Sequence, residues 1–481
     1  MKITIHRGTD QIGGSVTEYE YDGWHLFVDY GEELTGGKHK GKLEIEGLTH
    51  GDVSKSALLI THYHGDHIGC ITELPESLPI YLGKVGREIQ MVLSEHLQSV
   101  DGVHKDMLKR LETATTFLPG KDFSFGPFNI MPVTIDHSAF DAYAFRIEAD
   151  GVKVFHSGDF RTHGFRSRKL PKLIKEYVGE VDYVVCEATN VSRPDATSVS
   201  EHDLQQLFIE QFKEHHGNVV YLSSTNIDRL FALYHAALKI GKVFLVDAYQ
   251  KKIMDVVTQR DTLWGKSRLY KYGEYEPMVL QYGNDEFRTS DKFLDFFEKK
   301  GYVLIARTNQ RFKTLINKLP GDKKIYLSMW DGYVDPDKEA YKQELAEALG
   351  EGWEYLHTSG HCDMLSLRGL LSMLHPRAIL PIHTDDPHKF AELFSDEWPV
   401  LLLNDGESIS PISERKADAT WARIVCSKTE GKFLGSFKTD EDARFIITHI
   451  VFRPNEQLGY EISEEEDLLS KKKASGPMYF K

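Results

Sequence analysis

The stretch Thr61-His62-Tyr63-His64-Gly65-Asp66-His67 constrains this chain more than any other feature. From His62 to His67 it places three imidazoles and one carboxylate within six residues. It directly follows the apolar run Ala57-Leu58-Leu59-Ile60, which reads as a buried strand running out into a loop. A loop at a strand end can aim several side chains at one point, and His with Asp suits zinc or a similar divalent metal. A solvated surface does not need this density, and a core does not tolerate it unpaired. The plain alternative is a hydrogen-bonded His-rich turn. His62 and His64 alternate, so in an extended segment they point the same way. Asp66 and His67 lie past Gly65, where the chain can turn and present a second pair. That spacing suits two adjacent metals, one per pair.

A two-metal centre needs further ligands, and His or Asp recurs at other predicted strand ends. His137 follows Ile130-Met131-Pro132-Val133-Thr134-Ile135. Asp159 follows Val152-Lys153-Val154-Phe155, and His383 follows Ala378-Ile379-Leu380-Pro381-Ile382. Singly, such residues are more often structural. As a set at matching positions they point to one site.

Up to about residue 190 the chain alternates strand-like runs with turns, interrupted by a helical stretch from Val85 to Thr116. Then Ser200 opens a Ser-x-x-Asp capping pattern ahead of Leu204, Leu207 and Phe208. Beyond it, strands and helices alternate. The strand-like runs are Val219–Leu222, Val243–Val246, Val303–Ala306 and Ile325–Leu327, with a helix from Arg229 to Ile240. That alternation predicts a parallel sheet wrapped by helices, binding ligand at the C-terminal ends of its strands. Ser223-Ser224-Thr225-Asn226-Ile227-Asp228-Arg229 sits at one such end. Backbone N–H groups at a helix start favour phosphate, and Arg229 offers a bidentate clamp. The alternative is a simple N-cap with a surface arginine. Because the ligand series resumes with His383, the α/β module reads as an insertion, with the site in the cleft between the two parts. The expected division is 1–195 and 346–407 for the metal-binding domain, 196–345 for the insert and 408–481 for a small β-rich C-terminal region. In that region Trp421–Val425 and Phe445–Phe452 read as strands, and Glu464–Glu466 and Lys471–Lys473 as solvated charges.

Composition sets the outer bounds. The chain has 481 residues, enough for two or three domains, and an ordinary 41 % hydrophobic fraction. It lacks an apolar run of membrane-spanning length and begins directly as a strand at Met1–Ile5, so a cytoplasmic protein is expected. Cys70, Cys186, Cys362 and Cys426 are scattered and read as reduced thiols. The net charge of −15 argues against coating nucleic acid through bulk electrostatics. It leaves room for a nuclease whose metals and a few basic groups neutralise phosphate locally. A homo-oligomer is compatible with these features.

The spaced residues resemble the metallo-β-lactamase superfamily, whose pattern is His-x-His-x-Asp-His, a lone His, a bridging Asp and a final His. The resemblance implies that His62, His64 and His137 bind one metal, and Asp66, His67 and His383 the other, with Asp159 bridging. Asp29, after Leu26-Phe27-Val28, matches the family's early supporting Asp. Glu187 after Tyr183–Cys186, the stretch His357-Thr358-Ser359-Gly360-His361, and His383 look like the three later motifs of the β-CASP group of nucleic-acid hydrolases. The nearest likeness is to the bacterial ribonuclease J family, which has a similar Ser-Asn-x-x-Arg stretch in its insert. Ser328-Met329-Trp330-Asp331-Gly332-Tyr333 departs from that family's pattern.

The resemblance implies a four-layer αββα metallo-β-lactamase fold with an inserted α/β (β-CASP) domain. It also implies a metal-dependent phosphodiesterase acting on single-stranded RNA, as exonuclease, endonuclease or both. Two divalent ions roughly 3.5–4 Å apart would hold the attacking hydroxide. Zinc is the expected ion, with manganese or magnesium as alternatives. Asp66, Glu187 and His361 are the catalytic candidates. His361 would assist the leaving oxygen, and Glu187 would orient His361 or a ligand. His357 and Ser359 would contact phosphate; Ser223, Ser224, Asn226 and Arg229 would bind the substrate's 5′ end. Taken alone, Glu187 also fits a surface carboxylate at a strand end, and His357 and His361 a helix-capping loop. A small-molecule ester, thioester or lactam hydrolase and a non-catalytic RNA-binding paralogue remain as alternatives.

Overall fold

The computed structural model describes residues 1–34, 41–259, 267–283 and 286–411, with the backbone of three further strands, Trp421–Cys426, Phe433–Thr439 and Phe445–Ile450. Two sheets carry the first part of the chain. One has seven strands, in the order Glu407–Ile409, Lys2–Arg7, Val16–Tyr21, Trp24–Val28, Ser56–Leu59, Ile80–Gly83 and Thr115–Phe117. The other has six: Ala378–Ile382, Tyr183–Glu187, Val152–His156, Tyr143–Ala149, Phe128–Thr134 and Phe123–Phe125.

Side-chain alternation along these strands makes the layers. Leu26, Val28, Ala57 and Leu59 of the first sheet meet Val154, Val185, Leu380 and Ile382 of the second in one core. The intervening residues face outward. Phe27, Leu58 and Ile60 pack on Met107 and Leu111 of the helix Val103–Thr113. Phe155, Val184 and Ile379 pack with Leu173, Ile174, Leu367 and Leu371 of the helices Leu170–Tyr177 and Met364–Leu374. Strands with both faces covered need unbroken apolar runs, which is why these four-to-seven-residue stretches read so clearly. The result is the αββα layering.

The third sheet is parallel throughout, in the order Met278–Val279, Val243–Val246, Tyr302–Ala306, Gly217–Tyr221, Lys323–Leu327 and Glu354–Tyr355. Helices cover both faces. Glu201–Glu214, Ile227–Lys239 and Ala248–Thr258 pack in the cluster that continues into the outer layer of the second sheet. Asp291–Lys300, Gln310–Lys318 and Gln343–Leu349 line the other face. Ser200 caps the first helix as its sequence predicts, accepting the Asp203 N–H at 3.1 Å.

Two short strands stand next to the expected boundaries. Glu354–Tyr355 joins the third sheet beyond residue 345, and Glu407–Ile409 pairs with Lys2–Arg7 beyond residue 407. Strands of two or three residues are too short to show a period, so only their partners reveal them. The predicted helical stretch 85–116 is two helices, Lys84–Leu97 and Val103–Thr113, separated near Gly102. The strands expected at Trp421 and Phe445 form an antiparallel three-stranded sheet with Phe433–Thr439 between them. Glu464–Glu466 and Lys471–Lys473 lie outside the described residues. Among the described residues, no helix is long and apolar enough to cross a membrane.

Candidate metal centre

The predicted donor residues converge at the C-terminal ends of neighbouring strands. His62 and His64 follow Ser56–Leu59; His137 follows Phe128–Thr134; Asp159 follows Val152–His156; His383 follows Ala378–Ile382. Past His64 the chain enters a single helical turn, Gly65–Ile68, which redirects Asp66 and His67. That turn packs against Gly31, where a Cβ would lie 1.9 Å from the Asp66 carbonyl carbon, so only glycine fits.

Two clusters of the predicted donors result, and a third group, Asp159, Glu187, His361 and His383, overlaps the second. The ligand atoms of His62, His64 and His137 lie within 4.8 Å of one another, as do those of Asp66, His67, Asp159 and His383. Nε2 of His62 and of His137 stand 3.0 and 3.1 Å from Nδ1 of His64. Asp159 Oδ2 lies between the clusters, 3.1 Å from His67 Nε2 and 4.0 Å from His62 Nε2. Asp66 Oδ2 is 3.2 Å from His383 Nε2.

The opposite ring nitrogens are held from behind. Asp29 accepts from His67 Nδ1–H at 2.8 Å, and from the Thr61 amide and hydroxyl, both at 2.7 Å. Thr61 Oγ1 accepts from His62 Nδ1–H at 3.0 Å. The Gly360 carbonyl accepts from His137 Nδ1–H at 2.7 Å, and Thr189 Oγ1 from His383 Nδ1–H at 2.8 Å. These contacts fix tautomers so that Nε2 of four rings faces inward without its hydrogen, as metal ligation requires. Asp29 and His383 both adopt positive φ, 62° and 52°, a backbone cost that the site's contacts hold in place.

The electrostatics agree with this arrangement. Burial pushes His64 down to about 4. Burial and the adjacent His67 ring push His62 well below the usual imidazole range, and burial with His64 does the same to His137. Burial opposes ionisation of Asp159, but His383 and His67 hold it well below the usual carboxylate range. Burial likewise opposes Asp66, and His67 outweighs it. For His67, burial disfavours the cation, but Asp159, Asp66 and Asp29 favour positive charge more strongly and raise it. Neutral rings at His62, His64 and His137, ionised carboxylates and the preference for positive charge at His67 together fit a divalent cation, so the clusters are compatible with a metal site.

Glu187 and His361 stand beside it. Glu187 is buried, its Oε1 accepts the Phe160 N–H at 2.9 Å, and its Oε2 accepts from His361 Nδ1–H at 3.0 Å. Burial works against charge on His361, but Glu187 and Asp159 outweigh it and raise the ring to about 9. Ser359 Oγ accepts the His361 amide at 3.1 Å. His357 behaves oppositely: burial and the Arg229 guanidinium push it down to about 3.

The Ser223–Arg229 stretch divides. Ser223 is exposed and Ser224 half-buried, at the end of the strand Gly217–Tyr221. Asn226 caps the helix Ile227–Lys239, its side chain accepting the Arg229 N–H at 3.2 Å. Arg229 is fully buried. Its Nε and Nη2 each donate to Glu201 at 2.9 Å, and Nη1 donates to Ser328. A guanidinium with its fork closed on a carboxylate has no free face for phosphate, so the expected clamp role of Arg229 is corrected to a structural one. Asn226 spends its side-chain oxygen on the helix end.

Sequence reading missed the network behind this correction. Arg161 reaches Asp136 at 3.1 Å, Glu201 at 2.8 Å and Asp228 at 2.7 Å, all fully buried. Arg166 contributes a third guanidinium near Asp228, and Tyr270 donates to Asp228 at 2.6 Å. These residues tie the Asp159 loop to helices of the third sheet. They occupy unrelated positions in the chain, so no spacing announces them. Thr189, which holds His383, also went unnoticed because one hydroxyl leaves no pattern.

Comparison with known proteins follows this geometry. A β-lactamase superfamily domain matches residues 48–217. A Zn-dependent metallo-hydrolase RNA specificity domain matches residues 352–403. Ribonuclease J of Helicobacter pylori strain B128 is 23 % identical over 443 residues, 85 % of this chain and 60 % of the relative. The chain thus spans well under two thirds of that relative's length. Ribonuclease J of Mycoplasma genitalium is 23 % identical, over 79 % of this chain and 67 % of its own length. That of Sinorhizobium meliloti is 23 % identical, over 84 % and 72 %. A crystal structure of a protein of unknown function from Enterococcus faecalis V583 shares the fold, with a TM-score of 0.63 at 20 % identity, over 85 % of this chain and 99 % of that one. Two family models thus match separate stretches of the chain, a β-lactamase superfamily domain and a Zn-dependent metallo-hydrolase RNA specificity domain, and over most of its length the chain resembles bacterial ribonuclease J.

Proposed function

We propose that this protein hydrolyses phosphodiester bonds of single-stranded RNA. The observation that carries this reading is the convergence of seven donors in two clusters that meet at Asp159. His62, His64 and His137 would hold one divalent ion, Asp66, His67 and His383 the second, and Asp159 would bridge them. Zinc suits this His-and-carboxylate donor set. The ion pair supplies Lewis acidity and a nucleophile at neutral pH.

The chain's own residues supply the rest. Glu187 accepts from His361 Nδ1–H, which favours the imidazolium and leaves Nε2–H to protonate the leaving 3′ oxygen. His357 stays neutral and serves as a hydrogen-bond partner for phosphate, with Ser359 beside it. Ser223 and Ser224, just ahead of the helix Ile227–Lys239, would meet a terminal 5′ phosphate. We take residues 1–195 together with the segment ending near Ile409 as the hydrolase domain, interrupted by an insert from residue 196 to Tyr355.

The test is degradation of labelled single-stranded RNA with and without chelator, comparing 5′-monophosphate, 5′-triphosphate and 5′-hydroxyl ends. Chelator-sensitive cleavage is expected. Immediate release of labelled mononucleotide would give 5′-to-3′ exonuclease action, and internal fragments an endonuclease. The net charge of −15 favours a second reading, a small-molecule hydrolase. Turnover of a chromogenic lactam or thioester with intact RNA would select it.

A further inference from the structure

The loop after the strand Lys323–Leu327 presents aromatic surface that the metal chemistry does not use. Trp330 is 42 % exposed and Tyr355, on the adjoining edge strand, 41 %. The loop is well anchored. Ser328 at its base is buried; its hydroxyl donates to the Leu356 carbonyl at 2.6 Å and its amide to Tyr221 at 2.9 Å. A single 3-10 turn, Asp331–Tyr333, follows. The Trp330 ring folds over Gly332, where a Cβ would lie 2.3 Å from it, and stands edge-on to Tyr333 at 5.4 Å. Lys342 Nζ sits 4.0 Å above the Tyr333 ring, and the Lys342 amide donates to the Tyr333 carbonyl at 2.8 Å.

This aromatic patch adjoins His357, one of the residues expected to contact phosphate. The Tyr355 ring lies 6.0 Å from that of His357.

We propose that the exposed ring of Trp330 is a stacking platform that seats an unpaired nucleobase of the substrate, on the side of the site where Tyr355 adjoins His357. This rests on the nuclease reading above. A strongly acidic protein gains little from bulk attraction to phosphate, so strand affinity must come from elsewhere. Base–aromatic stacking supplies about 1–3 kcal/mol per base and tolerates any sequence, because every base has a π-face. A duplex keeps its bases stacked inside, so this platform selects single strands.

The experiment pairs deletion of the ring with deletion of the base. Full-length protein and its Trp330→Ala and Trp330→Phe variants are assayed for KM and kcat on a single-stranded oligoribonucleotide. The same oligomer with one abasic position, moved stepwise from the cleavage point, is assayed alongside. Trp330→Ala is expected to raise KM about tenfold, with Trp330→Phe recovering most of the loss. One abasic position should cost the wild type a similar factor and the alanine variant nothing further. Unchanged KM in Trp330→Ala overturns the platform, as does a full additional abasic penalty in that variant. Wild type that leaves RNA intact overturns the nuclease reading itself, a result distinguishable from either.

Discussion

Replacing Arg229 with alanine separates a binding role from a structural one. The cluster it belongs to holds three guanidiniums, Arg161, Arg166 and Arg229, against Asp136, Glu201 and Asp228, all fully or almost fully buried. Removing Arg229 leaves Glu201 with Arg161 alone and the cluster one positive charge short. Breaking a buried pair from one side typically costs about 3–5 kcal/mol, because the remaining charge has neither partner nor water. A large domain loses about 2–4 °C of midpoint per kcal/mol, so a fall on the order of 10 °C is expected in thermal unfolding. Removing Glu201 as well, as Arg229→Met with Glu201→Gln, should restore much of the loss, since replacing a buried pair by uncharged groups is often near neutral. Preference for 5′-monophosphorylated over 5′-hydroxyl RNA, measured well below the midpoint, should stay at the wild-type ratio. Loss of that preference with an unshifted midpoint would refute the structural assignment and return Arg229 to the substrate.

Three further outcomes are expected. His64→Ala or Asp159→Asn should lower divalent metal from near two per chain and abolish hydrolysis, read by elemental analysis and RNA assay; full metal content in either variant would break the ligand assignment. His361→Ala should keep its metal while turnover falls about 10²–10⁴-fold, the scale of general acid–base assistance; loss of an ion would place His361 in the ligand set. Stability should decline in acid through Glu201: burial opposes its ionisation, but Arg229 and Arg161 hold it at about 2, below its ordinary 4.5. A depressed carboxylate contributes stability above its unfolded pKa and loses it as pH falls towards the folded one, so the decline should run from about pH 4.5 towards 2. Burial raises Asp228 and offsets part of the effect. Glu201→Gln should flatten that acid limb in urea titrations at stepped pH.

The sequence alone determined the strands and what stands at their ends. Unbroken apolar runs such as Ala57–Ile60 and Ala378–Ile382 read as buried strands, and His and Asp residues follow them at the strand ends; these two strands lie in different sheets, and only the packing of the sheets brings those donors together. The helix cap at Ser200 was equally legible, because capping is settled by residues three apart. Only the tertiary structure decided what Arg229 and Asn226 do. A guanidinium after a strand end reads the same whether it faces a phosphate or a buried carboxylate, and Glu201, 28 positions away, decides between them. The same holds for Arg161, Arg166 and Arg229 with Asp136, Glu201 and Asp228, whose charges balance only once distant segments meet. It holds also for Trp330 and Tyr355, large rings that a sequence assigns to a core by default. Local patterns report what one element needs from its neighbours; which distant partner meets that need depends on packing that brings unrelated segments together.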